Sequence, residues 1–265
     1  MTNKRIMIRL LAGAFAFCIC FPSSFAQVEK IMYEGTTFGF ASYQLKDTYL
    51  SPFIFKGWGG RIINERVTIL QPRFSRQQII GVDIATTKNP AENVNDFGTF
   101  VDYSLAYHYH FFHENAFNVL AGATAHIMGG FIYNTRNGNN PLSAKVDINL
   151  GLSFMALYTF HVSNHPVSLR YQGVLPFSGI FFAPPYGASY YEMFNEGNTS
   201  NIIAFNSFHN KFSVKNYVTV DIPVSTSTMR LGYLFSYYTT DVKDIQTRIF
   251  SNTFMIGWVK RFYFK

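Results

Sequence analysis

Three histidines are the residues best suited to bind a metal ion. His108 and His110 lie two positions apart in one alternating segment, and His126 follows in the next. Imidazole is a common zinc ligand, so three histidines in contact would predict a metal site. If the short turn after Phe112 closes the two segments, however, His108 lies opposite Leu120 and His126 lies several residues away. We therefore expect hydrogen-bonded histidines, no metal site and no other cofactor.

Charged residues form a second set, because twelve of them occupy polar positions of segments in which polar and apolar residues alternate. Among these we expect Lys145, Asp147, Asp221 and Arg230 to form interior ion pairs, and a two-residue turn at 225–226 sets Asp221 opposite Arg230. Seven basic residues and five acidic ones predict a closed interior, since a selective pore carries rings of one sign. The twelve are Arg61, Glu65, Asp83, Asp102, Lys145, Asp147, Arg170, Lys211, Lys215, Asp221, Arg230 and Arg261.

Aromatic residues in the long loop at 182–208 form the third candidate site. Tyr186, Tyr190, Tyr191 and Phe194 lie there among Gly, Ser and Asn residues. Such loops usually carry the function of the scaffold that holds them. The rings suit binding to an extracellular ligand, either a sugar or a protein partner. A loop that folds inward to cap the interior is an equally good interpretation.

The composition limits the elements that position these residues. The chain has 265 residues, of which 48% are hydrophobic, 18% aromatic and 14% charged. A mean hydropathy of +0.05 excludes a helical transporter. The high content of aromatic and β-branched residues favours one large β domain rather than a disordered chain.

The N-terminus is typical of a secretory signal. Lys4, Arg5 and Arg9 precede the apolar run 10–21, which ends in small residues before Gln27. We predict a cleaved signal peptide at 1–26 and a single barrel domain at 27–265. Both cysteines lie in the apolar run, so the mature chain has no thiol. Removing three basic residues also lowers the net charge of +7, which argues against nucleic-acid binding.

Alternation with a period of two predicts ten strands, with eight or twelve as alternatives. It is clearest at 143–162, where one set of positions is entirely apolar. The fold class is therefore an all-β transmembrane antiparallel up-and-down β-barrel. The predicted strands are 31–44, 56–70, 76–88, 97–112, 116–133, 143–162, 166–181, 211–224, 228–240 and 247–264.

Connection lengths and ring positions favour a membrane barrel over a secreted lipocalin-like barrel. Short links at 71–75, 113–115, 162–165 and 225–226 alternate with longer polar links at 46–55, 88–96, 134–141, 182–208 and 241–246. This pattern predicts that the short turns and both termini are periplasmic. Aromatic residues collect near strand ends, as expected of two belts that flank a lipid-facing band. A soluble core gives no reason for such belts.

The last strand ends in Phe262-Tyr263-Phe264 before Lys265, and with the alternating strands it resembles the integral outer-membrane β-barrel proteins of Gram-negative bacteria. The segment 47–52 and Asn64-Glu65-Arg66 are similar to an uncharacterised group, a domain of unknown function. The resemblance implies residence in the outer membrane, insertion by the barrel-assembly machinery, and contact with outer-membrane lipid and lipopolysaccharide. It implies no activity.

Enzymatic barrels are the main functional alternative. The string His161-Val162-Ser163-Asn164 resembles one in the outer-membrane lipid A deacylase, but the predicted topology puts it in a short periplasmic turn, far from the outer leaflet. The carboxylate pattern of omptin proteases and the Ser/His/Asn set of outer-membrane phospholipases are not recognisable. We therefore predict a non-catalytic barrel that uses its extracellular loops for binding or a structural role. The alternatives are an outer-membrane lipid A or phospholipid hydrolase, a protease, or a narrow channel.

Overall fold

The structure is a computed structural model, and it describes residues 30–264 apart from five positions. The predicted signal peptide at 1–26 lies outside the described residues. In the described part of the chain, no helix is long and apolar enough to cross a membrane. The five positions that are not described are Asn115, Asn139, Asn164, Asn198 and Thr226.

The described residues form eleven strands and one short helix. All ten predicted strands are present, and a short strand, β8, lies within the predicted loop at 182–208. The elements are β1 Lys30–Asp47, β2 Ser51–Gln71, β3 Phe74–Lys88, β4 Asn95–Glu114, β5 Phe117–Asn134, β6 Leu142–Val162, β7 His165–Phe182, α1 Tyr190–Phe194, β8 Ile203–Ser207, β9 Lys211–Val224, β10 Ser227–Val242 and β11 Ile245–Phe264.

Ten of the strands close into an antiparallel barrel. Each pairs with its neighbours in chain order, β7 pairs with β9, and β11 pairs back with β1. The strand β8 pairs only with β7, at Ser178–Phe182, the part of β7 that precedes the loop 183–202. Closure satisfies the backbone groups of every barrel strand without an open edge, which a lipid-embedded sheet requires.

The apolar face of the strands points outward. On β6, Leu150 and Leu152 are 59% and 58% exposed, while their neighbour Ser153 is 2% exposed and faces the interior, called the lumen below. Lys145 and Asp147 on the same strand are also buried. A soluble barrel would show the opposite arrangement, so the lipocalin-like alternative is wrong and the predicted fold class is confirmed.

Two of the five links predicted to be long are short turns. The link at 46–55 reduces to the three residues 48–50, and the link at 241–246 reduces to Lys243 and Asp244. Both of these residues have positive φ, 55° and 62°, as in the two-residue turns that suit the twist of hairpins. The strands extend further than the alternation predicts, so residues 51–55 and 245–246 belong to strands rather than to loops. The longer loops are 89–94, 135–141 and 183–202.

Exposed rings follow the predicted belts on most of the barrel. In the half of the barrel near the longer loops, the rings of Phe212 and Tyr237 pack together. The pattern fails on β1 and β11, where Phe40 and Phe254 are exposed near the strand centres. Rings in mutual contact near the end with the chain termini are Phe74, Tyr109, Phe111, Phe112, Phe117, Tyr158 and Phe160.

Candidate functional site

Glu65 is the centre of the lower charged layer of the lumen, the one nearer the chain termini. Arg170 donates Nη1 and Nη2 to the two carboxylate oxygens of Glu65 at 2.6 and 2.8 Å. Arg230 also donates to Glu65, and it holds Asp221 through Nε and Nη2 at 2.6 and 2.7 Å. Gln77 donates to the same carboxylate. Charge-assisted hydrogen bonds are the strong ones, so this layer ties together β2, β3, β7, β9 and β10.

Arg61 is the centre of the upper charged layer. It donates to Asp83 at 2.8 Å and to Asp102 at 2.7 Å. Lys215 lies 3.0 Å from the other oxygen of Asp102, and the hydroxyl of Tyr43 donates to Asp83 at 2.8 Å. Asp83 is the directly opposed neighbour of Arg61 on the adjacent strand, whereas Lys215 on β9 reaches Asp102 on β4 across the lumen.

Lys145 and Asp147 lie in the lumen but do not pair with each other. Lys145 contacts Asp47 at 2.7 Å, and Asp147 contacts Lys211 at 3.0 Å. Their shared strand face holds them apart, while the closed barrel brings distant β1 and β9 side chains towards them. His126 Nδ1 lies 3.7 Å from Asp147.

Asp221 and Arg230 are opposed in the register predicted from the turn at 225–226. Val224 also faces Ser227, as that register requires. Of the twelve charged residues assigned to the lumen, Arg261 differs: it is exposed, and its guanidinium lies over the rings of Tyr33 and Tyr263. It comes too close to the end of β11 for the lumen to cover it.

Apolar side chains fill the space between the two charged layers. Ile63, Tyr217, Leu234 and Met255 form a buried cluster there. The lumen spaces beside them and beneath the loop layer are about 40 and 20 Å³. A space of this size holds one or two water molecules, not a solute. The described side chains therefore leave little open space at these two levels of the lumen.

A serine and a histidine lie in contact within the lower lumen. His108 Nε2 is 2.9 Å from Ser153 Oγ, and Gln172 donates to the same oxygen at 3.1 Å. This contact resembles a nucleophile and its base. Both side chains are buried, and the adjacent lumen leaves no room for a substrate. His110 bonds separately to Ser75 at 3.1 Å.

The pairing of β4 with β5, which sets the positions of the histidines, differs by two residues from the predicted register. His110, not His108, lies opposite Leu120, and His108 lies opposite Gly122. The strands pair down to Glu114 opposite Phe117, which moves the register by three residues, and a bulge between His110 and Phe112 takes back one of them. Such a bulge leaves no signal in the alternation. Among the described residues, no group of three His, Cys, Asp or Glu side chains is arranged to hold a metal.

The string at 161–164 lies at the end of the barrel that carries the termini. His161, near the end of β6, and Ser163, in the turn that follows it, are exposed there, and Asn164 lies outside the described residues. No hydrogen bond is described between the His161 and Ser163 side chains. This placement, at the end of the barrel with the chain termini, agrees with the predicted position of the string.

The loop 183–202 is held across the mouth of the barrel by contacts on three sides. Tyr190 on α1 accepts a hydrogen bond from the Ala144 backbone nitrogen at 2.6 Å. Tyr49, in the β1–β2 turn, donates to the Ala188 carbonyl at 2.8 Å. Lys243, in the β10–β11 turn, donates to the carbonyl of Ala183 at 2.9 Å. The loop therefore caps the lumen.

Burial changes the ionisation of the residues that hold this cap. It raises the pKa of Tyr49 to about 12, because the phenolate would lose hydration beside Tyr190 and Asp47. Burial raises the pKa of Tyr190 for the same reason, and it lowers the pKa of Lys243 by penalising the ammonium form. Both tyrosines therefore stay neutral at ordinary pH.

The four predicted loop aromatics divide into one anchor and three exposed rings. Tyr190 stacks between Phe182 and Phe194, with ring centroids at 6.3 and 6.2 Å. Tyr186, Tyr191 and Phe194 remain more than 60% exposed. Below, we call these three the surface rings. An open groove of about 560 Å³ lies beside one of them, Tyr191, and is lined by Asn140, Pro141, Leu142, Ser189, Tyr190 and Tyr191.

Comparison with known families gives a match over nearly the whole chain. The model of the family described as protein of unknown function (DUF3316) matches residues 5–265. The chain belongs to this family. No curated protein matches this DUF3316 chain.

Solved structures similar to the DUF3316 barrel include outer-membrane β-barrels. The outer membrane protease OmpT from Escherichia coli is 6% identical, with 91% of this chain and 99% of that one covered and a TM-score of 0.47. The beta domain of the Bordetella autotransporter BrkA is 11% identical, with 89% and 100% covered and a TM-score of 0.43. The transport unit of the autotransporter AIDA-I from Escherichia coli is 9% identical, with 90% and 93% covered and a TM-score of 0.42. Similarity at this level concerns the fold and carries nothing about activity.

Several interior contacts of the DUF3316 barrel were missed from the sequence. Gln77 and Gln172 bond to each other across the lumen at 2.7 and 2.9 Å. Tyr43 and Asp47 occupy the lumen face of β1, which was the least regular predicted strand. Alternation assigns a residue to a face, but the partner of a lumen side chain depends on strand tilt and stagger, which local sequence does not contain.

Proposed function

We propose that this protein is a non-catalytic, non-conducting barrel of the outer membrane that binds a ligand through its capping loop. The observation that carries the proposal is the contrast between a filled lumen and the surface rings above it. The charged layers and the apolar cluster fill the interior, whereas Tyr186, Tyr191 and Phe194 expose large apolar faces to solvent. Exposed apolar groups beside polar ones mark interaction sites.

The chemistry of the groove favours a saccharide as the ligand. The groove combines the flat ring of Tyr191 with the amide of Asn140 and the hydroxyl of Ser189. A ligand with one apolar face and many hydroxyl groups fits such a mixture of rings and a few polar groups. The capping box of α1, in which Ser189 and Glu192 bond each other's backbone, holds Tyr191 in place.

Binding is tested with the purified mature protein in detergent against a panel of immobilised oligosaccharides. We expect the Tyr191→Ala/Phe194→Ala variant to lose binding by at least about tenfold, the effect of losing roughly 1.4 kcal/mol. The matched control is Glu196→Ala/Thr199→Ala, in the same loop but without rings, which should bind as the parent does. Equal binding by the ring variant would contradict the proposal.

Location and orientation are tested in cells. We expect the protein to fractionate with outer membranes and to migrate differently on gels before and after heating. A single cysteine at Thr199, in the cap, should react with an impermeant maleimide in intact cells. One at Ser163, in the β6–β7 turn, should react only after the outer membrane is permeabilised. Labelling at Ser163 in intact cells, with labelling at Thr199 only after permeabilisation, would contradict the proposed orientation of the cap and the termini.

A further inference from the structure

Four basic side chains form a row on the outer surface at the cap end of the barrel. Arg248, Lys46, Lys56 and Lys88 lie on the consecutive strands β11, β1, β2 and β3. Arg248 is directly opposite Lys46, and Lys56 is directly opposite Lys88. Their chain neighbours Leu45, Phe55 and Thr87 are buried, so alternation points the four cations outward. We call this set the cation row.

No carboxylate among the described residues lies within ion-pair distance of the cation row. Asp47 adjoins Lys46 in the chain but faces the lumen, where it pairs with Lys145. Lys46 bonds only the neutral side chain of Gln246, and Arg248 Nε is buried with no hydrogen-bond partner. Like charges that face each other across strands are unfavourable. The row is therefore suited to binding an external anion.

Below the cation row, towards the middle of the barrel, the outer surface is apolar and has a notch, a shallow depression. Trp58 and Phe40 stack there with ring centroids 5.3 Å apart, and both are about 60% exposed. Gly60 lies beside them, and a Cβ at that position would meet only the Gly39 carbonyl oxygen, at 3.8 Å. Cations above an apolar notch match the headgroup and acyl chain of a membrane lipid.

The opposite side of the barrel lacks these cations. At the cap ends of β4, β5 and β7 the exposed outward residues are Phe97, Phe131, Tyr133 and Ile180. Apart from Arg136, which is exposed in the loop between β5 and β6, the outward basic residues at this end lie on one side. They do not form the ring that general attraction to a negative membrane surface would favour.

We propose that the cation row binds the phosphate groups of a lipopolysaccharide molecule in the leaflet at the cap end. Three inter-strand spacings make the row roughly 14 Å wide. Lys56 lies opposite Gln44, so the Lys56–Lys88 pair is set two residues along the strands from the Arg248–Lys46 pair. One phosphodiester meets at most two of the four cations, whereas a lipid with several phosphates meets all of them. The choice of leaflet rests on the orientation proposed above, but the chemistry of the row does not.

The test measures lipid binding by the refolded protein in detergent, with diphosphorylated lipid A, dephosphorylated lipid A and phosphatidylglycerol as separate probes. We expect diphosphorylated lipid A to bind most tightly. The Lys46→Gln/Lys56→Gln/Lys88→Gln variant should bind it at least about tenfold more weakly, because each membrane-proximal cation contributes to anionic lipid affinity. Heat-modifiable migration verifies that the variant is folded.

The matched control is Arg66→Gln/Lys260→Gln, which removes two cations at the other end of strands β2 and β11 and should leave lipid A binding unchanged. Equal affinity of the triple variant and the parent would overturn the proposal. Phosphatidylglycerol binding as tightly as lipid A would overturn the assignment to a multiply phosphorylated lipid. Because binding is measured in detergent, a reversed orientation in the cysteine experiment would contradict the proposed function without changing this result.

Discussion

In the lumen, Glu65 is shared by two guanidinium groups and Asp102 contacts both Arg61 and Lys215, whereas on the cap Tyr191 has its ring in solvent beside the anchored Tyr190. In the lumen, charged side chains bind one another, whereas on the cap apolar rings remain exposed to solvent. Charged groups that are paired inside the barrel contribute to its stability and closure. Exposed apolar rings are available to bind a ligand. Function is therefore expected on the cap, and mutational effects on stability are expected in the lumen.

The largest effect is expected at Glu65. Glu65→Ala leaves Arg170 and Arg230 buried without their shared carboxylate, which should cost about 3–5 kcal/mol of the free energy of unfolding. Urea unfolding from lipid vesicles measures this. Glu34→Ala is the matched control, since Glu34 pairs with the largely exposed Arg66 on the outer surface and should cost about 1 kcal/mol or less. Similar losses at both positions would remove the distinction between lumen and surface.

The next effect tests which face meets lipid. Leu152→Arg places a charge in the middle of the lipid-facing surface and should cost about 2–4 kcal/mol. Val162→Arg, at the end of the same strand and also exposed, should cost about 0–1 kcal/mol. Refolding into vesicles at increasing urea compares the two variants. A larger loss at Val162 would mean that the membrane band is misplaced.

A smaller effect is expected at the rim of the lower layer. Asp221 is 21% exposed by its side chain, and Arg230 retains Glu65 when Asp221 is removed. Asp221→Asn should therefore cost about 1 kcal/mol, well below Glu65→Ala. A double-mutant cycle with Arg230→Gln measures the coupling between the two side chains. Coupling of several kcal/mol would show that this pair, rather than Glu65, dominates the layer.

The smallest effect concerns pH and the cap. The pKa of Tyr49 is raised to about 12 from its ordinary value of 10.0. Its neutral form is favoured in the folded state, so the contribution to cap stability is complete below pH 10.0 and is lost as pH rises through about 12. Proteolysis of the loop 183–202 should increase over that range. The Tyr49→Phe variant should show a weaker pH dependence, and an unchanged profile would assign the effect elsewhere.

The sequence predicts much of the wall of the barrel and little of its interior contacts. Strand β9 was predicted at its observed bounds, and Asp221 was paired with Arg230, because alternation and a tight turn are local signals. The partnership of Lys145 with Asp47 depends on barrel closure and was not predictable. Nor could Tyr190 be separated from Tyr191, since adjacent tyrosines in a loop differ only in which of them reaches the Ala144 backbone.

Electrical recording in planar bilayers tests the closed lumen most directly. The refolded, heat-modifiable protein should give no stable conductance steps, because side chains of the two charged layers and the apolar cluster fill the interior beneath the cap. Brief noise from insertion is expected with any barrel and serves as evidence that protein has entered the bilayer. Reproducible ohmic steps of one size from the parent protein would contradict the account and favour a channel.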